Sequence, residues 1–261
     1  MSTHPALIVF SDLDGTLLDH DTYSWEAARP ALEALRRRNI PLILASSKTA
    51  QEIAPLREEM GFSHCPAIVE NGAGLLPENN TLDTETTTSG DYADIIAALN
   101  RITPSMRTLY EGFNDLDDAG VAHLTGLSVS GARAAKARQF SEPGIFSGTP
   151  FERARFIAEL AEQGVSVTQG GRFLTLSKGA TKADQIATIK ARLAPQARSI
   201  ALGDAPNDLA MLGACDIGVI IPNPAQADNL DMKTQAFQRA PCEGPEGWAK
   251  FMLDHLEHLT D

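Results

Sequence analysis

The chain has 261 residues, 43% of them apolar and 21% charged, with a formal net charge of −12. That composition excludes a disordered or fibrous chain, and the acidic balance repels polyanions, so nucleic acid is not an expected partner. The length exceeds a usual single domain of about 100–150 residues, so two domains, or a core with an insertion, are expected.

No apolar stretch approaches the roughly 20 residues of a membrane span. The early run "ALIVF" is short and lacks the basic lead-in of a signal peptide. Cys65, Cys215 and Cys242 are far apart and without CxxC spacing, which suggests neither a disulfide framework nor a zinc site. A reduced, cytoplasmic setting is the expectation, with no membrane partner.

In chain order, "ALIVFSD" is a continuous apolar run ending in turn chemistry, as a strand covered on both faces would be. "SWEAARPALEALRRRN" has apolar residues at helical spacing, with Ser24 as N-cap and Arg36, Arg37 and Arg38 complementing the C-terminal dipole. "IPLILASS" is a second buried strand and "TAQEIAPLREEMGF" a second helix closed at Gly61. "PAIVENGAGLL" is a third strand meeting the turn pair Asn71-Gly72.

From 79 to 91, "ENNTLDTETTTSGD" turns polar and threonine-rich, a boundary or an exposed hairpin. Helical patterns follow in "DYADIIAALNRI", "SGARAAKARQF" and "PFERARFIAELAEQG", then the β-type runs "SVTQ" and "RFLTLS". Alternation resumes with the helix "TKADQIATIKARL", the strand "SIALGD", the helix "NDLAMLGACD" and the strand "IGVII". A closing amphipathic helix, "GPEGWAKFMLDHLEHL", is expected to bury Trp248. The order predicts an α/β fold: a Rossmann-like, doubly wound parallel sheet core (1–85 and 173–261) with an inserted α+β cap over 86–172.

Chemistry concentrates in four places. In "IVFSDLDGTLLD", Asp12 and Asp14 stand two apart and face one point beyond a strand's carboxyl end. Two carboxylates in a small volume are costly unless a cation neutralises them or one holds a proton, and Mg²⁺ suits such a site. A calcium loop starting at Asp12 would need Gly at 17 and Glu at 23, where Leu17 and Tyr23 stand; a solvated turn is the remaining alternative. In "ALGDAPNDLAML", Asp204 ends a strand, and Asn207 and Asp208 enter a helix as metal ligands or as dipole partners. Ser46 and Ser47 in "LILASSKT" either donate to a phosphoryl oxygen or cap the next helix. "SKGATKADQI" offers Lys178 and Lys182 to neutralise negative charge.

Taken together and in this order, the four motifs resemble those of haloacid dehalogenase (HAD)-superfamily phosphatases, and the insert's position resembles the Cof-type (C2B) cap. "SSKT", "ARQFSEP", "QGGRFLTL" and "EGPEGW" resemble the mannosyl-3-phosphoglycerate phosphatases. Ser46-Ser47-Lys48 stands where the general Cof-type pattern has Thr-Gly-Arg, a departure typical of that branch.

The resemblance implies that Asp12 is the nucleophile and Asp14 the general acid and base, with Lys182, whose register to Ile186 fits the family better than that of Lys178, as the catalytic lysine. Mg²⁺ would be held by Asp12, the backbone carbonyl of Asp14 and Asp204, with Asp208 acting through water. Ser46, Ser47 and Asn207 would bind the phosphoryl group. In the cap, Arg172 would pair with a substrate carboxylate, and Glu142 and Ser141 with sugar hydroxyls; Arg138 would join them or lie on a solvated face. The implied substrate is a small phosphorylated sugar acid, mannosyl- or glucosyl-3-phosphoglycerate, and the product a compatible solute. A monomer or weak homodimer is expected. The alternatives are a broader sugar-phosphate or sucrose-phosphate phosphatase or phosphomutase on the same scaffold, and a receiver-like phospho-acceptor. Receivers are smaller, place their acids adjacently and carry no cap.

Overall fold

Leu7–Ser11 (β1) is buried at every position, as a run of β-branched and aromatic residues without polar alternation requires of a strand covered on both faces. The computed structural model describes residues 6–80, 90–170, 172–224 and 236–258. In chain order β1 is followed by α1 (Arg29–Arg37), β2 (Leu42–Leu44), α2 (Ala50–Glu59), β3 (Ala67–Val69) and β4 (Gly74–Leu76). Next come α3 (Gly90–Arg101), α4 (Pro104–Arg107), β5 (Tyr110–Gly112), α5 (Asp118–Thr125) and α6 (Val129–Lys136). β6 (Ser141–Phe146), α7 (Pro150–Glu162), β7 (Ser166–Gly170) and β8 (Phe173–Ser177) complete the middle. The chain closes with α8 (Lys182–Leu193), β9 (Arg198–Gly203), α9 (Leu209–Gly213), β10 (Ile217–Ile220), β11 (Gln238–Arg239) and α10 (Gly244–His258).

The chain divides into two units, one of Met1–Ser46, Ala54–Thr81 and Thr181–Asp261, the other of Ser47–Ile53 and Leu82–Ala180. In the first, five parallel strands lie in the order β11-β10-β9-β1-β2. A single bridge from Ala45 to Ile68 continues the parallel direction toward β3. This is the α/β sheet core expected from the alternation. Trp248 on α10 is fully buried, and among the described residues no helix is long and apolar enough to cross a membrane.

In the second unit, four antiparallel strands run β5-β6-β8-β7. Ile95, Leu99, Tyr110, Phe156, Leu174 and Leu176 pack into its main core. Phe113, Val121, Ala132 and Ala135 form a smaller one with α5 and α6.

Four sequence expectations are corrected. Ser24 does not cap α1: its hydroxyl accepts from Glu26 N–H, a three-residue 3₁₀ turn intervenes, and α1 starts after Ala28 with a proline in its first turn. The third strand is two, because the chain reverses at 70–72 and β4 pairs antiparallel with β3. β5, β6 and α5 were not expected, since "YEG", "SEPGIF" and "DAGVAHLT" carry glycine or proline inside the element. A cap limit at 172 falls in the β7–β8 hairpin, and Phe173–Ser177 pairs with both β6 and β7. The limit at 85 lies outside the described residues, as does most of the polar stretch 79–91.

Candidate active site

The strand order reverses between β1, which leads to β2 on one side, and β9, which leads to β10 on the other. The crevice outside the carboxyl ends at such a point is where open α/β sheets bind ligands. Asp12 directly follows β1, its N–H donating to Leu202 O at 2.9 Å, and Asp204 directly follows β9. The Asp12 carbonyl accepts from Ser11 Oγ at 2.8 Å, and Ser11 Oγ accepts from Trp248 Nε1 at 3.0 Å. The closing helix therefore anchors the first acidic residue.

Lys182 opens α8, where Thr181 and Asp184 form a capping box: Thr181 N–H and hydroxyl both donate to Asp184 Oδ2. The lysine is 2% exposed. Its Nζ donates to Asp12 Oδ1 at 2.6 Å and to Asp208 Oδ1 at 2.7 Å. Asp208 Oδ2 accepts from the N–H groups of Asp204 and Ala205 at 3.2 and 3.1 Å, so both of its oxygens are engaged. Asp204 accepts from Thr16 Oγ1 at 3.0 Å and from Asn223 Nδ2 at 2.5 Å.

Carboxylate oxygens of Asp12, Asp204 and Asp208 lie within 4.8 Å of one another. Among the described residues one ammonium group stands against them, so with all three carboxylates ionised two negative charges would be in excess. Burial, and then the Asp208 charge, push the Asp12 carboxyl well above its ordinary value. Burial raises Asp204 too. Burial also works against the Lys182 charge, but Asp12 and Asp208 outweigh it and hold the amine protonated. A buried set of hard oxygen donors fits Mg²⁺.

Gly15 and Thr16 have specific tasks here. Gly15 has φ of 81°, and a Cβ there would lie 2.7 Å from Asp204 Oδ2. Only glycine lets the turn pass this close in that conformation. The solvated-turn alternative fails, because Asp12 and Thr16 are both buried.

Asp14 is half-buried in the same turn, bridged to Leu18, and its carboxylate is not one of the clustered three. Ser46 is buried, its N–H donating to Ile68 O at 3.0 Å. Helix α2 is capped by Thr49 and Glu52 through reciprocal bonds of 2.9 and 3.3 Å, so neither Ser46 nor Ser47 is needed as its cap. Ser47 is exposed. Asn207, also exposed, reaches Asn71 Oδ1 at 3.5 Å. Lys178 lies in the second unit, 3.9 Å from Asp94. The structure thus brings Asp12, Lys182, Asp204 and Asp208 together. Sequence reasoning missed Asn223 and the Trp248–Ser11 link; an asparagine just past a buried strand, in "VIIPN", was the available signal.

In the second unit, Arg138 Nη2 donates to Ser141 Oγ at 2.8 Å and to Ser47 O at 3.1 Å. Glu142 is fully buried, and its carboxylate accepts from Tyr92 Oη at 2.7 Å and Asn114 N–H at 2.8 Å. Burial raises its pKa from the ordinary 4.5. The expectation that Glu142 and Ser141 meet sugar hydroxyls is therefore corrected: β6 lies between β5 and β8, and both side chains are interior. Arg172 is exposed at the β7–β8 turn, 5.1 Å from the Phe173 ring, beside a cavity of about 470 Å³ that Arg153, Gln169 and Phe146 also line.

Comparison with known proteins adds family and fold. Solved structures similar to this chain include the sucrose-phosphatase of Synechocystis sp. PCC6803 bound to sucrose and phosphate, at 16% identity over 98% of each chain with a TM-score of 0.65. A Thermoplasma acidophilum protein matches at 16% identity over 97% of this chain and 99% of that one, TM-score 0.67. A haloalkanoate-superfamily phosphatase from Bacteroides thetaiotaomicron matches at 16% over 98% and 97%, TM-score 0.64. At these identities the likeness is one of fold. The family model for haloacid dehalogenase-like hydrolases matches residues 9–115 and 149–227, which include the motifs at Asp12, Ser46, Lys182 and Asp204. The chain belongs to the haloacid dehalogenase-like hydrolase family.

Proposed function

We propose that the chain is a Mg²⁺-dependent phosphatase that hydrolyses the phosphomonoester of mannosyl- or glucosyl-3-phosphoglycerate through a phospho-Asp12 intermediate. The observation that carries this reading is Lys182 Nζ, held between Asp12 and Asp208 in a buried cluster of three carboxyl groups. A carboxylate attacks a phosphate dianion only where charge is neutralised, and this site is built to gather cations.

Asp12, Asp204 and the Asp14 carbonyl would hold Mg²⁺, with Asp208, which is tied to Lys182 and to the N–H groups of Asp204 and Ala205, acting through water. When bound, the ion neutralises phosphoryl oxygens. An Asp12 carboxylate oxygen attacks phosphorus and the bond to the glycerate oxygen breaks, Asp14 delivering a proton to that oxygen. Asp14 then takes a proton from a water whose oxygen attacks the same phosphorus. The acyl–phosphate bond breaks, releasing phosphate and restoring the Asp12 carboxylate. Ser46, Ser47 and Asn207 bind the phosphoryl oxygens, and Arg172 the substrate carboxylate.

The substrate rests on "SSKT", "QGGRFLTL" and "EGPEGW". The test is phosphate release from mannosyl-3-phosphoglycerate, glucosyl-3-phosphoglycerate, sucrose 6-phosphate and simple sugar phosphates, with Mg²⁺ and with chelator. Preference for the two glycosyl-phosphoglycerates is expected, lost on chelation. Equal turnover across the panel would replace the narrow substrate with a broad sugar-phosphate range. Stable phosphorylation without phosphate release would mark a phospho-acceptor instead.

A further inference from the structure

Between β3 and β4, three consecutive residues have positive φ: Glu70 at 51°, Asn71 at 60° and Gly72 at 101°. Two side-chain-bearing residues in succession there are uncommon, and such a turn persists only where its surroundings hold it. The surroundings are the segments of the candidate active site. Asn71 N–H donates to Ser46 O at 2.9 Å, and Asn207 Nδ2 approaches Asn71 Oδ1 at 3.5 Å. Gly72 O accepts from Gln185 Nε2 on α8 at 3.0 Å.

The closest approach is backbone to backbone. A Cβ on Gly72 would lie 2.0 Å from the Thr181 carbonyl carbon, 2.2 Å from its oxygen and 2.3 Å from Lys182 N. No side chain can rotate away to relieve such a contact. Lys182 begins α8, so whatever sets this backbone sets the origin of the side chain that spans Asp12 and Asp208. Bonds of 2.6 and 2.7 Å to two separate carboxylates leave little room for that origin to move.

We infer that Gly72 is a positioning residue for Lys182: the left-handed turn 70–72 presses on the start of α8 and fixes Nζ between the two aspartates. The inference deepens the phosphatase reading and rests on it for its kinetic consequence, but its structural half stands apart from activity.

The test compares Gly72→Ala with Gly164→Ala. Gly164 also has positive φ, 72°, but nothing lies within 4 Å of a Cβ there, so that variant carries the backbone strain without the contact. In Gly72→Ala, kcat per folded molecule falls about 100-fold, the scale of a 1 Å misplacement, while KM changes little; Gly164→Ala keeps wild-type kcat. Amide exchange in ligand-free protein should quicken selectively in the first turn of α8 in Gly72→Ala. Should Gly72→Ala not fold, Gln185→Ala removes the bond to Gly72 O without a clash and is expected to give a smaller loss of the same kind. Wild-type kcat in both variants, or unchanged exchange at 183–186, overturns the inference. A wild-type protein without phosphatase activity defeats the phosphatase reading, and the exchange comparison still decides whether Gly72 seats α8.

Discussion

Thr16 and Asp204, 188 positions apart in the chain, are joined by a hydrogen bond of 3.0 Å from the threonine hydroxyl to Oδ1. The bond orients one of the carboxylates proposed to hold Mg²⁺, and partners of this kind carry about 10–100-fold in metal affinity. Thr16→Val keeps the shape and removes the donor. Mg²⁺ titration of phosphatase rate should show half-saturation raised within that range. Unchanged Mg²⁺ dependence would take Thr16 out of the metal arrangement.

Asp12→Asn removes the proposed nucleophile with almost no change in volume. Phosphate release is expected to vanish while circular dichroism and the melting transition remain those of a folded protein. Appreciable residual turnover would assign the attack to another group.

Lys182→Met deletes the ammonium that, among the described residues, faces the cluster, and leaves buried carboxylates uncompensated. Removing one partner of a buried pair costs about 3–5 kcal/mol. Denaturant unfolding should show that loss in chelator and partial recovery in millimolar Mg²⁺. A variant as stable as wild type in chelator would mean that the cluster is already neutral through protonation.

Glu142 makes a pH prediction for the second unit. Burial holds its folded-state pKa above the ordinary 4.5. A carboxyl raised in the folded state stabilises fully below its unfolded value and loses that contribution as pH rises through the folded value. Glu142→Gln, which retains an acceptor for Asn114 N–H, should therefore gain Tm relative to wild type on going from pH 4 to pH 7. The gain amounts to about 2–4 °C per kcal/mol. A Tm difference that stays flat with pH would show that the carboxyl ionises in place without cost.

What was legible in the sequence was local. Asp12 and Asp204 announce themselves because each ends a buried strand at a turn; Lys182 was separated from Lys178 only through the family resemblance. Gly15 and Thr16 were visible, but their contacts with Asp204 were not, because Asp204 follows a strand far along the chain. Strand β6 was hidden by Pro143, which removes a ladder donor. The strand tolerates it because pairing with β5 starts only at Gly144, so Pro143 has a partner strand on one side alone. Glu142 was assigned to a sugar hydroxyl through the resemblance alone, and nothing local announces its burial, which is rare for a glutamate. Its burial rests on Tyr92 and Asn114, and on Gly112, where a Cβ would lie 2.2 Å from Glu142 Oε1.

The pairing of β1 with β9 also has a consequence for synthesis. Lys182, the ammonium that Asp12 binds, leaves the ribosome 170 residues after it. At about 5–20 residues per second, that interval is roughly 10–35 s. Throughout it the nascent chain carries an apolar strand whose β9 neighbour does not yet exist and an aspartate without its cation. The antiparallel unit of residues 90–177 is complete within that wait and needs no strand from either end of the chain. The core sheet can therefore close around β1 only after the antiparallel unit has been synthesised.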